Sequence, residues 1–120
     1  MDETDTVCGL DVPLAIIGGK WKPLILYHLQ GGPTRFAEVR RLVDGISEKV
    51  LIQQLRELVR VGVIVRRDHQ QVPPMVDYSL TPFGQTLVKA LIPLCEWGTL
   101  NRQHVEKFYV QSHRAIEDFV

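Results

Sequence analysis

The chain has 120 residues, 45% of them hydrophobic and 23% charged, with a formal net charge of zero. This is the composition of one ordinary globular domain with enough chain to bury a core, and it excludes a disordered, collagen-like or linker polypeptide. No stretch approaches the ~20 apolar residues of a membrane span, and the acidic start MDETDTV lacks the positive charge of a signal peptide, so a cytoplasmic protein with no membrane partner is expected.

Along the chain, residues 1–7 read as a flexible acidic N-terminus. Asp11 or Pro13 opens a short helix through Ile17, which Gly18-Gly19 stops. A second helix fits Trp21 to Gln30. Its Pro23 lies in the first turn, where the missing N–H has no helical partner anyway. Trp21, Leu24, Ile25, Tyr27 and Leu29 make it apolar nearly all round, so it reads as the buried central helix. Gly31-Gly32-Pro33 breaks the chain. Thr34 is an expected N-cap for a short helix from Arg35 to Val43, with Phe36, Val39 and Leu42 inward. After the Asp44-Gly45 turn, Ser47 caps a longer helix with Glu48 in its first turn, ending near Gly62.

Val63 to Arg67 and Met75 to Leu80 read as strands of a hairpin whose polar tip holds Pro73-Pro74. Thr81-Pro82 starts a helix to about Gly98, with Leu87, Leu91, Leu94 and Cys95 on its inner stripe. A further amphipathic helix is expected from Leu100 to Tyr109, and Ile116 and Phe119 suggest that the tail packs. The predicted fold is mainly α with a small β-hairpin: a winged helix-turn-helix over residues 8–98, with a helical extension over 99–120.

The zero net charge conceals an asymmetry: −3 over residues 1–10, +4 over 11–70 and −1 over 71–120. Phosphate binding responds to the local patch. At about 100° per residue, Lys49, Gln53, Arg56 and Arg60 share one stripe of the longer helix, while Leu51, Leu55 and Leu58 project oppositely. Such a stripe taken alone is also what a solvated helix face looks like. Combined with the helix order, the hairpin and the basic middle, it points to a helix for the major groove. There Arg and Lys reach guanine acceptors or phosphates and Gln pairs with adenine. Ser47 and Lys49 lie at the end that enters the groove first. Arg66, Arg67 and His69 on the hairpin, and Arg35 before it, are candidates for phosphate or minor-groove contact.

Residues Cys8 to Gly98 resemble the HxlR-type family of bacterial winged-helix transcription regulators, relatives in fold of the MarR group. The matching residues are Ile17-Gly18-Gly19-Lys20-Trp21, Gly32-Pro33, Arg35-Phe36-Ala37-Glu38-Val39, Gly45-Ile46-Ser47 and Leu51. They continue with Leu55-Arg56-Glu57-Leu58, Gly62, Val72-Pro73-Pro74, Asp77-Tyr78-Ser79-Leu80-Thr81 and Gly84. The resemblance implies a homodimer on palindromic double-stranded DNA, joined through terminal dimerisation helices, with one recognition helix and one wing per subunit. Several members of this family use a cysteine at the place of Cys8 to sense oxidants or electrophiles. Cys8 is therefore either a redox candidate or a small apolar residue packed at the dimer interface. Cys95 is expected in the core. A small-molecule effector would sit between the DNA-binding core and the terminal helices, although no residue set demands one.

Two cysteines and four scattered histidines provide no CxxC pair and no zinc spacing, and neither a phosphate loop nor a Ser/His/Asp grouping is visible. The expectation is no enzyme, no cofactor and no metal. Two functional classes stay open: a sequence-specific DNA-binding regulator, and a winged-helix module that binds protein without specific DNA binding.

Overall fold

A computed structural model describes residues 8–111. The N-terminal arm and the tail residues Ile116 and Phe119 lie outside the described residues, as does His113. The element order is α1 (Asp11–Ile17), α2 (Trp21–His28) with a one-turn 3-10 continuation (Leu29–Gly31), β1 (Thr34–Arg35), α3 (Phe36–Leu42), α4 (Glu48–Arg60), β2 (Ile64–Asp68), β3 (Val76–Leu80) and α5 (Pro82–Gln111). This is a winged helix-turn-helix: α3 and α4 form the helix pair, and β2 and β3 form the wing.

The core gathers one face of each element. Ile25, Leu26 and Leu29 come from α2 and its continuation, Val39 and Val43 from α3 and its end, and Leu51, Leu55 and Leu58 from α4. Val63, Ile64 and Tyr78 come from the sheet and Val88 from α5. Helix α2 is less enclosed than expected, since Leu24 and Tyr27 are exposed in the single chain. Trp21 packs against the core edge as an anchor.

Both ends of α4 follow from local chemistry. Ser47 is extended, and its Oγ accepts from Val50 N at 3.2 Å, which satisfies one orphan donor of the first turn. At the other end Gly62 adopts φ 82°, Gly62 N donates to Val59 O, and Val63 N donates to Leu58 O. That pair of bonds is a Schellman closure, and its left-handed residue favours glycine.

Three expectations are corrected. Thr34 does not cap a helix: its Oγ1 donates to Gly32 O, and Thr34–Arg35 pairs with Tyr78 and Asp77 of β3. The hairpin is thus the larger part of a three-stranded antiparallel sheet of order β1-β3-β2, and α3 starts one residue late, at Phe36. The two C-terminal helices are one, because α5 runs through both Pro93 and Gly98. Gly98 does not take the left-handed conformation that ends α4 at Gly62, so it is only a weak helix residue and not a stop. Finally, Cys95 is exposed. The inward stripe of α5 consists of Leu87, Val88, Leu91 and Ile92, and it ends before Leu94 and Cys95, which have left the body of the domain.

The start of α5 locks the wing to the core. Thr81 N donates to Val63 O, Thr81 Oγ1 donates to Gly62 O at 2.6 Å, and Gly84 N donates back to Thr81 Oγ1 at 2.9 Å. Among the described residues no helix is long and apolar enough to cross a membrane.

Candidate nucleic-acid interface

Helix α4 is strongly amphipathic. Its three leucines are almost wholly buried, while Lys49, Gln53, Arg56 and Arg60 are exposed on the opposite side. Two acids on the same helix border this stripe, and each pairs with a cation of another element. Glu57 pairs with Lys22 of α2 at 2.8 Å, and Glu48 lies 3.7 Å from Arg40 of α3. On α3, Glu38 is taken up by Arg41, whose Nε donates to Oε2 at 2.9 Å. The Arg41 hydrogen bond holds the Glu38 carboxyl below its ordinary range. No ion pair among the described residues engages Lys49, Arg56 or Arg60. The stripe therefore presents net positive charge to solvent.

Two hollows flank the stripe. One, of about 750 Å³, is lined by Lys49, Ile52, Gln53, Arg56 and Arg60 together with Glu48 and Glu57. The other, of about 500 Å³, lies between α4 and the sheet, lined by Phe36, Glu48, Ile52, Arg56, Arg66, Val76 and Tyr78. Arg56 borders both, so it stands where helix and wing meet.

Strand alternation sorts the wing residues. Arg66 is registered with Tyr78, and Arg67 with Asp77. Successive side chains take opposite faces, so Arg66 joins Arg56 on the α4 side, whereas Arg67 projects from the other face. Arg35 of β1 is registered with the same Asp77, which places Arg35 and Arg67 on either side of one carboxylate. Asp77 is only 7% exposed. His69 Nε2 lies 2.6 Å from its Oδ2, while Oδ1 is buried without a hydrogen-bond partner among the described residues. His69 is thus half-buried and tied to the sheet, which fixes the wing beneath its tip; its ring is partly withdrawn from a phosphate. The hydroxyl of Ser47 is committed as an acceptor to the helix cap but retains its own proton for donation.

Sequence reasoning passed over Ile52, an exposed apolar residue among these cations, and Asp77, the carboxylate under the wing. The available signal for Ile52 was its position off the Leu51-Leu55-Leu58 line. Asp77 could have been noticed as an acid inside an otherwise alternating strand, opposite Arg67.

The remaining candidates lie elsewhere. Cys8 is an exposed free thiol just before α1. Cys95 opens on a groove of about 510 Å³ between α2 and α5, with Tyr27, Gln30, Ile92, Thr99 and Leu100. Lys20 Nζ sits 4.8 Å from the Trp21 ring centre, in cation–π contact. The described residues hold no His/Cys/Asp/Glu group able to bind a metal ion.

The chain is similar in sequence and fold to known helix-turn-helix proteins. The family model for the HxlR-like helix-turn-helix matches residues 16–106. The HTH-type transcriptional regulator YdeP of Bacillus subtilis is 45% identical over 111 residues, which cover 92% of this chain and 85% of YdeP. Among solved structures, the redox regulator HypR in its reduced form superposes with a TM-score of 0.79 at 43% identity, covering 83% of this chain and 99% of that one. Its oxidized form gives a TM-score of 0.74 at 45% identity, covering 78% and 97%.

Proposed function

Since the chain belongs to the HxlR-like helix-turn-helix family of transcriptional regulators, we propose that it acts as a homodimer binding a palindromic double-stranded DNA operator in the cytoplasm, with α4 in the major groove and the β2–β3 wing beside it. The observation that carries this reading is the exposed Lys49-Gln53-Arg56-Arg60 stripe, left cationic because Glu57 and Glu48 are held by Lys22 and Arg40. Lys49 in the capped first turn, with the Ser47 hydroxyl beside it, and Gln53 and Arg56 further along the same stripe reach base edges. Arg60, Arg66, Arg67 and Arg35 contact phosphates, and His69 steadies the wing that carries two of them.

The dimer is supported by apolar side chains that the single chain leaves in water. Leu94, Trp97, Leu100 and Phe108 of α5 are exposed, Leu100 by 84%, and so are Leu10, Val12 and Leu14 around α1. Helix α5 is about 45 Å long at 1.5 Å per residue, and its second half projects beyond the core it starts on. A second copy covering these faces buries them and sets two α4 helices about 34 Å apart, one turn of duplex. The groove between α2 and α5, with Cys95 on its wall, is where a small-molecule effector would sit.

The reading extends to Cys8 as the residue through which an oxidant acts on the dimer. Its support is an exposed thiol at the entrance to α1 and the likeness to HypR, a redox regulator solved in reduced and oxidized forms.

Retention on heparin and on random duplex at low salt tests the DNA reading. Binding that falls with salt, by about −0.9 in log–log slope per phosphate contacted, is the expected result. Salt-independent retention, or none, refutes it and favours a protein-binding module.

A further inference from the structure

Ile52 stands apart from the core on which the leucines of α4 pack. It sits on α4 between Glu48 and Arg56 at four-residue spacing, with Lys49 three residues before it as a further neighbour on the helix surface. The buried side of α4 is already filled by Leu51, Leu55 and Leu58, and Ile52 stands outside the core cluster with 36% of its surface exposed. A β-branched residue is a mediocre helix former, and apolar area left in water contributes nothing to stability. Yet Ile52 borders both hollows, among Lys49, Gln53 and Arg56 on one side and Arg66 and Tyr78 on the other. It is an apolar side chain in the middle of a charged surface on which Lys49, Arg56 and Arg66 outnumber Glu48.

The floor of the major groove presents hydrogen-bonding groups at every base pair, and one apolar group, the thymine C5 methyl. We infer that Ile52 is a specificity-determining residue that packs on a thymine methyl in each half-site, next to the bases reached by Gln53 and Arg56. The inference rests on the major-groove reading of α4 and adds to it the identity of one base. Cytosine at that position lacks the methyl and presents an amino group that Ile52 cannot satisfy. The preference is therefore for a T·A pair in one orientation, on the flank of the helix that faces the wing.

The test begins with duplexes selected by the wild-type protein from a random pool. Each thymine of a selected half-site is then replaced singly by deoxyuridine, which removes the methyl and keeps every hydrogen-bonding group. Affinities follow from fluorescence anisotropy at fixed salt for wild type, Ile52→Val and Ile52→Ala. Because Ile52 lies outside the core, both variants keep the fold, which circular dichroism checks. The expected result is one position per half-site where deoxyuridine weakens wild type about fourfold. Ile52→Val retains most of that discrimination, and Ile52→Ala binds the two duplexes equally. Selective binding by wild type that ignores every deoxyuridine overturns the inference alone, as does undiminished discrimination by Ile52→Ala. Failure to select any duplex overturns the groove reading together with it.

Discussion

Gly84→Ala is the most demanding test of how the wing is fastened to the core. A Cβ built on Gly84 would lie 1.8 Å from the carbonyl oxygen of Val63, 2.8 Å from its carbonyl carbon and 3.2 Å from its Cα. All three are backbone atoms, so no side-chain rotation relieves the overlap. An ordinary carbon–oxygen contact is about 3.4 Å, and α5 must therefore back away from Val63, the residue before β2, by roughly 1.5 Å. That movement pulls on the Thr81 N to Val63 O bond and on the Thr81 hydroxyl shared between Gly62 O and Gly84 N. Overpacking of this kind costs about 3 kcal/mol, and loss of the Thr81 cap adds about 1 kcal/mol. Alanine's better helix propensity returns up to about 1 kcal/mol. The net cost of about 3 kcal/mol corresponds to a Tm lowered by roughly 12 °C in a domain of this size. Thermal melts by circular dichroism, at one protomer concentration because a dimer's Tm depends on it, read the effect directly. Gly31→Ala is the control: nothing lies within 4 Å of a Cβ there and φ is not left-handed, so its Tm should stay near wild type. A Gly84→Ala protein that melts with wild type would refute the close approach of α5 to the Val63 backbone.

Other perturbations separate the roles assigned above. Arg35→Ala and Arg67→Ala should each weaken all duplexes about equally and reduce the salt slope by about 1, measured by anisotropy across a salt series. His69→Ala removes the hydrogen-bond partner of the buried Asp77 carboxylate and should destabilise by about 1–3 kcal/mol in urea unfolding. Breaking the partly exposed Lys22–Glu57 pair with Glu57→Gln should cost at most about 1 kcal/mol by the same assay. In Cys8→Ser, oxidant treatment should no longer change operator occupancy, while Cys95→Ser should respond as wild type does. The reverse pattern would move the sensing role to Cys95.

Local chemistry makes α1, α4 and the two wing strands legible in the amino-acid sequence, because each carries its own punctuation. Ser47 and Gly62 bracket α4 with a side-chain cap and a left-handed glycine, and its leucines mark the buried side. What escaped was set by distant partners. Nothing near Thr34 announces that β3 will recruit it as a strand partner, so it read as a cap. Gly98 looked like Gly62 because a glycine's φ is chosen by its surroundings. Cys95 follows Leu91 at helical spacing, and only the three-dimensional path of α5 reveals that the core has ended by then. The cationic stripe was legible as a pattern. Its freedom from Glu57 and Glu48 was not, because the lysine and arginine that hold those acids come from α2 and α3.

Base reading by α4 is proposed to run through Gln53 and Arg56. The direct measurement is the ratio of affinities for a selected operator and for a scrambled duplex of equal length, in wild type and in a Gln53→Ala/Arg56→Ala double variant at one salt concentration. At about 1–3 kcal/mol per bidentate base contact, the ratio should fall by at least tenfold while weak binding to the scrambled duplex survives. An unchanged ratio in the double variant would contradict the account.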